Sequence, residues 1–189
     1  MTPLLIRADA SSTIGTGHVM RMIALAQACQ DRGGAVAISS ATCPPALADR
    51  VRLEGIGCHP LPACTPGDQT DLEQTINLAR ALDARWIVLD GYHFDLNYQR
   101  KLREGGFRAL TVDDYGYCES WAADALLNQN LHAPELRYQT ENPGCRLLLG
   151  TQFALLRREF RAQPESAPPE TVAANVSSRT PAVSQPWSN

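Results

Sequence analysis

The segment from Leu4 to Arg21 constrains the fold more than any other part of this 189-residue chain. Leu4-Leu5-Ile6 is an apolar run that reads as a short buried strand, a loop containing Gly15 and Gly17 follows, and a helical pattern begins at His18. A strand feeding a glycine turn and then a helix gathers backbone N–H groups and the positive end of a helix dipole around one point, which suits an anion or a sugar. One residue sets this loop apart from a phosphate-binding loop: His18 stands where such a loop carries lysine.

Beyond this unit, strands and helices alternate. Val19, Met22, Ile23, Ala26 and Cys29 recur at helical spacing before Gly33-Gly34, and Ala35 to Ser39 reads as the next strand. A short helix over Ala46–Glu54 and a weak strand over Cys58–Leu61 follow. Thr70, with Glu73 three residues later, predicts a capping box for a helix that buries Leu72, Ile76, Ala79 and Leu82. Trp86–Leu89 is a continuous apolar run of the kind a parallel strand shows when both faces are covered. A helix over Asp95–Glu104 and strands over Phe107–Val112, Ala123–Leu127 and Arg146–Leu149 complete the pattern. Such alternation predicts an α/β, Rossmann-like, doubly wound parallel sheet. Ligands of these sheets bind outside the carboxyl ends of the strands, where Asp9, Asp90-Gly91-Tyr92, Asp113-Asp114 and Asn128 all fall.

A domain over residues 1–161 and a tail over 162–189 are expected. Gln163–Asn189 holds five prolines and five serines and no Leu, Ile, Phe or Met, so it cannot bury enough apolar area to offset its ordering entropy and reads as disordered. Formal net charge is −3 with no basic block, which gives no compositional support for nucleic-acid or membrane-surface binding. No run approaches the ~20 apolar residues of a membrane helix, and no secretory leader is visible. The six cysteines are scattered without a C-x-x-C pair, which points to a reduced cytoplasmic protein without a zinc site.

The glycine loop excludes two nucleotide-binding readings. A Walker loop ends in Gly-Lys-Ser/Thr, and Gly17-His18-Val19 does not. A dinucleotide fingerprint needs a third glycine where Met20 stands and an acidic residue after the second strand, which ends in Ser39-Ser40. The alternative to any ligand is that Gly15 and Gly17 permit a tight turn.

Arg7-Ala-Asp-Ala10, Gly15-Thr-Gly-His-Val-Met-Arg21, Leu89-Asp-Gly-Tyr92, Val112-Asp-Asp114 and the segment Gln152–Phe160 together resemble the UDP-2,4-diacetamido-2,4,6-trideoxy-β-L-altropyranose hydrolases of pseudaminic acid biosynthesis. The resemblance spans Leu4 to Arg161 and then stops. It implies the N-terminal domain of a two-domain enzyme of the GT-B type. Its second domain, which carries most UDP contacts in the family, has no match in the tail. It also implies metal-independent hydrolysis of a UDP-linked diacetamido sugar with no cofactor. The histidine of the glycine loop, matched by His18, holds and activates the water, and the tyrosine of the Asp-x-Tyr motif, matched by Tyr92, lies beside the reacting sugar.

For the remaining residues two readings stand together. Asp9, Asp90 and Asp114 either bind the sugar or serve the structure, Asp113 caps a loop on the second reading, and Arg21 faces a carboxylate or a phosphate. Gly15, Thr16 and Gly17 are expected at the substrate. His93 is not required by the motif. A glycosyltransferase of the same architecture and a non-catalytic remnant or binding domain are the alternatives to the hydrolase.

Overall fold

The computed structural model describes residues 3–161, so the expected tail lies outside the described residues. Strands β1 (Leu4–Ala8), β2 (Val36–Ser40), β3 (Gly57–Pro60), β4 (Trp86–Asp90), β5 (Arg108–Val112), β6 (Ala125–Asn128) and β7 (Arg146–Leu149) form one sheet in the order 3-2-1-4-5-6-7. Every neighbouring pair is parallel. The chain is therefore the doubly wound parallel α/β sheet that the alternating pattern predicts.

Helices α1 (Gly17–Gln30), α2 (Pro45–Leu53), α3 (Gln69–Ala81) and α4 (Leu96–Glu104) cover the sheet, and α5 (Arg158–Arg161) is a single short turn. The period-2 geometry of the strands divides their side chains between two cores. Ile6, Ala8, Ile38 and Val88 point to one face, where Val19, Met22, Ile23 and Ala26 of α1 and Leu47 and Val51 of α2 meet them. Leu5, Ala37, Ile87 and Leu89 point to the other, against Leu72 and Ala79 of α3 and Tyr98 and Leu102 of α4. Ile23 is fully buried, so Ile23→Ala removes about 2–5 kcal/mol.

The start of α3 differs from expectation. Its cap is Asp68, whose side chain accepts from the Asp71 N–H at 2.7 Å, and the Thr70–Glu73 pair lies within the helix. The sequence Asp68-Gln-Thr-Asp71 competes with Thr70-Asp-Leu-Glu73 for the same role, and Asp71 is drawn into the core by Arg7, which fixes the helix two residues earlier.

Winding runs outward from β1 to β3, returns through α3, and continues from β4 to β7. β1 and β4 are neighbours, yet the loops that leave them serve opposite halves of the sheet. A crevice opens at such a switch point at the carboxyl edge.

Candidate functional site

The glycine loop leaves β1 on one side of that crevice. Gly15 has φ +78°, a left-handed conformation, and exchanges backbone hydrogen bonds with Ser11 to close the loop. Thr16 then caps α1 without using its side chain, and all of Gly15, Thr16 and Gly17 are exposed. A Cβ added at Gly17 would meet open space, so nothing inside the folded chain demands glycine there. His18 lies in the first turn of α1 and Arg21 one turn further on, three residues apart and hence on one face.

From the other side of the crevice comes Asp90, the last residue of β4 and completely buried. Its Oδ1 lies 2.7 Å from His18 Nδ1, while its two oxygens also accept from Arg21 Nη2 at 2.5 Å and Arg21 Nε at 2.7 Å. The remaining Arg21 nitrogen, Nη1, donates to both oxygens of Asp114 at 2.8 and 2.9 Å. Tyr92 donates its hydroxyl to Asp114 Oδ2 at 2.6 Å, and its ring packs edge-on to His18 with centroids 5.2 Å apart. A carboxylate beside Nδ1 makes that nitrogen the donor, which leaves Nε2 as the lone-pair nitrogen. Nε2 makes no hydrogen bond to the described residues. Ile14, Gly17, His18, Arg21, Tyr92, Asp114 and Gln129 together line a cleft of about 320 Å³.

Charge in this cluster is unevenly shared. Among the described residues that line the cleft, Arg21 is the one with a permanent positive charge, and it faces two carboxylates. Burial acts to raise the Asp114 carboxyl, but hydrogen bonds from Arg21 and Tyr92 hold it below the usual carboxylate range. The Tyr92 phenol is pushed well above the ordinary tyrosine range, by burial first and by Asp114 next, so it stays protonated and donates to Asp114. Of the two readings of Arg21, the geometry selects the carboxylates.

Asp9 belongs to a separate, buried network. Its Oδ2 is 2.8 Å from Arg7 Nη1, its Oδ1 accepts from the backbone N–H groups of Ala41 and Thr42 at 2.7 and 3.0 Å, and it is 1% exposed. Arg7 in turn makes a two-pronged contact with Asp71, at 2.8 Å on each prong. Burial works to raise the Asp9 carboxyl, yet His93 and Arg7 hold it far below the usual range. Of the two readings of Asp9, in which it meets a sugar or serves the structure, these contacts favour the structural one. Arg7 brought inside the sheet needs anionic partners, and Asp9 is one of them. Asp113 likewise serves the structure, accepting from the Gly116 N–H at 2.6 Å and the Tyr138 hydroxyl at 2.5 Å. Among the described residues, no group of three or more His, Cys, Asp or Glu side chains is placed to hold a metal ion.

No family model matches the sequence. A curated protein does: the UDP-2,4-diacetamido-2,4,6-trideoxy-beta-L-altropyranose hydrolase of Campylobacter jejuni is 29% identical over 161 residues, covering 83% of this chain and 53% of its own length. The chain resembles the N-terminal part of a sugar-nucleotide hydrolase. It spans about half the length of this hydrolase relative. Among solved structures, MurG of Acinetobacter baumannii aligns with TM-score 0.48 and 12% identity over 68% of this chain and 41% of its own. A glycosyltransferase of Rickettsia africae aligns with TM-score 0.44 and 9% identity over 59% and 29%.

Of the residues expected at a substrate, His18, Arg21, Tyr92 and Asp114 line one cleft with Gly17, Asp90 stands buried behind His18 and Arg21, and Asp9 lies elsewhere. Gly15 and Thr16 lie in the loop above the cleft. Sequence reasoning missed Asn130, whose side-chain amide donates to Asp114 Oδ1 at 3.1 Å, and His132, whose Nε2 is 3.1 Å from the Asp114 carbonyl. It also missed Tyr115, whose ring centroid is 5.0 Å from that of Tyr92. The position of these residues just beyond β5 and β6, at the binding edge, was the available signal.

Proposed function

We propose that this chain carries the water-activating part of a UDP-sugar hydrolase site, acting on a UDP-linked diacetamido-trideoxy sugar of the kind named for the hydrolase relative. The observation that carries the reading is the His18–Asp90 contact at 2.7 Å, which holds the imidazole with Nε2 available in a cleft. His18 Nε2 takes a proton from a water as that water attacks the anomeric carbon. The bond from this carbon to the diphosphate oxygen breaks, and its electron pair leaves with UDP. A diphosphate is a good leaving group, so no acid is needed on that side. Asp90 orients the ring and balances the charge it gains.

The negative balance of Arg21, Asp90 and Asp114 suits a transition state in which positive charge develops at the anomeric carbon. It does not suit a diphosphate, because the cation in the cleft is already committed. A volume of about 320 Å³ is at the small end for ligand sites, the size of a sugar group rather than of a whole sugar nucleotide. Both facts support a division of labour in which this chain handles the sugar and water and grips UDP weakly. Low intrinsic turnover of the isolated chain follows.

Hydrolysis in oxygen-18 water tests the reading at the bond that breaks. Label in the released sugar and none in UDP is expected; label in UDP would place the attack at phosphorus and overturn it.

A further inference from the structure

Among the described residues eight large apolar side chains are exposed, and three of them meet around the cleft. Ile14 is 48% exposed, Tyr92 42% and Tyr115 56%. They come from three different loops, after β1, β4 and β5, yet all lie around the polar floor made by His18, Arg21 and Asp114. Ile14 and Tyr92 line the cleft itself. Tyr115 extends that wall outward, its ring tilted 53° against Tyr92. Tyr92 turns its hydroxyl inward to Asp114 and packs its ring between His18, Tyr115 and Tyr117, so it is pinned at the tip and on its sides. A pinned ring offers its apolar surface at little entropic cost. Loops at a sheet edge do not gather exposed apolar groups for stability, since each such group costs free energy while it faces water.

We propose that Ile14, Tyr92 and Tyr115 form an apolar collar that selects the N-acyl methyl groups of the bound sugar, with Tyr115 as its specificity-determining residue. This rests on the reading of the cleft as a sugar site. A diacetamido sugar presents exactly the two kinds of surface this cleft offers: hydroxyl, amide and ring oxygens for the floor, and acetyl methyls for the collar. An acyl methyl that leaves water for the collar gains about fourfold in affinity. A sugar with formyl in place of acetyl keeps every polar group and loses only that gain.

The test measures binding of free 2,4-diacetamido-2,4,6-trideoxyaltrose and its 2,4-diformamido analogue to the chain by ligand-detected NMR. Wild type, Tyr115→Ala and Tyr115→Phe are compared. The exposure of Tyr115 means that neither substitution removes core packing, and far-UV circular dichroism checks this. Wild type should prefer the acetylated sugar by about fourfold or more, Tyr115→Phe should retain the preference, and Tyr115→Ala should bring it to within about twofold. Discrimination that survives Tyr115→Ala overturns the collar alone and leaves the sugar site standing. Failure of wild type to bind either sugar overturns the sugar reading and the collar with it. Self-association of the wild type that Tyr115→Ala abolishes would instead make the collar an interface between copies, and would also overturn the proposal.

Discussion

His18 Nδ1 and Asp90 Oδ1 lie 2.7 Å apart although 72 residues separate them in sequence. The contact spans the switch point of the sheet, from the first turn of α1 to the end of β4. One end is a largely buried histidine at a helix start and the other a fully buried strand terminus, so the ring is held from inside while its far nitrogen reaches the cleft. Substituting Asp90→Asn keeps the shape and removes the charge that sets the tautomer. UDP release should fall by about 10²–10⁴-fold, the range for loss of a general base, in an assay of turnover at saturating sugar nucleotide.

Arg21 holds two carboxylates at once. Removing it in Arg21→Met leaves Asp90 as a buried charge with only His18 beside it. Breaking one side of a buried pair costs about 3–5 kcal/mol. The midpoint of urea unfolding should drop accordingly, with an unchanged slope if the unfolded state is unaffected. A midpoint equal to that of the wild type would show that the Arg21–Asp90 contact does not stabilise the fold.

The two glycines of the loop should part company on substitution. At Gly17 the helix has begun and an added Cβ meets open space, so Gly17→Ala gains about 0.4–1 kcal/mol of stability. That same methyl would stand where a ligand approaches the helix start, and sugar binding should weaken. Gly15 has φ +78°, and Gly15→Ala costs about 1–2 kcal/mol. Thermal unfolding of both variants separates the two roles.

Much of this architecture was legible in local pattern. The apolar run Trp86–Leu89 and the helical spacing of Val19, Met22, Ile23 and Ala26 each need only a few neighbouring residues to be read, and both elements form. The carboxyl-edge rule placed Asp9, Asp90, Tyr92, Asp113, Asp114 and Asn128 at one edge of the sheet, of which Asp90, Tyr92 and Asp114 meet around His18. What pattern could not supply was pairing across long separations. The two readings of Asp9 stayed open because nothing local reveals that Arg7 is buried beside it, or that Asp71, 64 residues from Arg7, completes the network. The cap of α3 was misplaced for the same reason, since two overlapping motifs fit locally and a core contact decides between them. Asn130 and His132 sit in the loop after β6, which has no motif, and their contact with Asp114 is purely tertiary.

The buried Arg7–Asp9–Asp71 network gives stability a defined response to acid. Native Asp9 holds its proton far less tightly than an unfolded aspartate, whose pKa is about 3.9. Below that range the unfolded chain therefore binds more protons than the native one, and stability falls as pH falls. Asp114, also shifted downward, adds to the same trend. The stabilisation is fully present above about pH 5 and is lost progressively on acidification. Asp9→Asn should be less stable at pH 6 and should lose less on going from pH 6 to pH 3; urea unfolding at both values provides the check.

The central claim is that His18 activates the water that releases UDP. Its most direct test is UDP release from UDP-2,4-diacetamido-2,4,6-trideoxy-β-L-altropyranose by this chain at high concentration, with His18→Ala alongside. The wild type should release UDP slowly and the variant should lose about 10²-fold or more of that rate, with the fold intact by circular dichroism. Equal release by the two proteins, or none from a folded wild type, would contradict the claim.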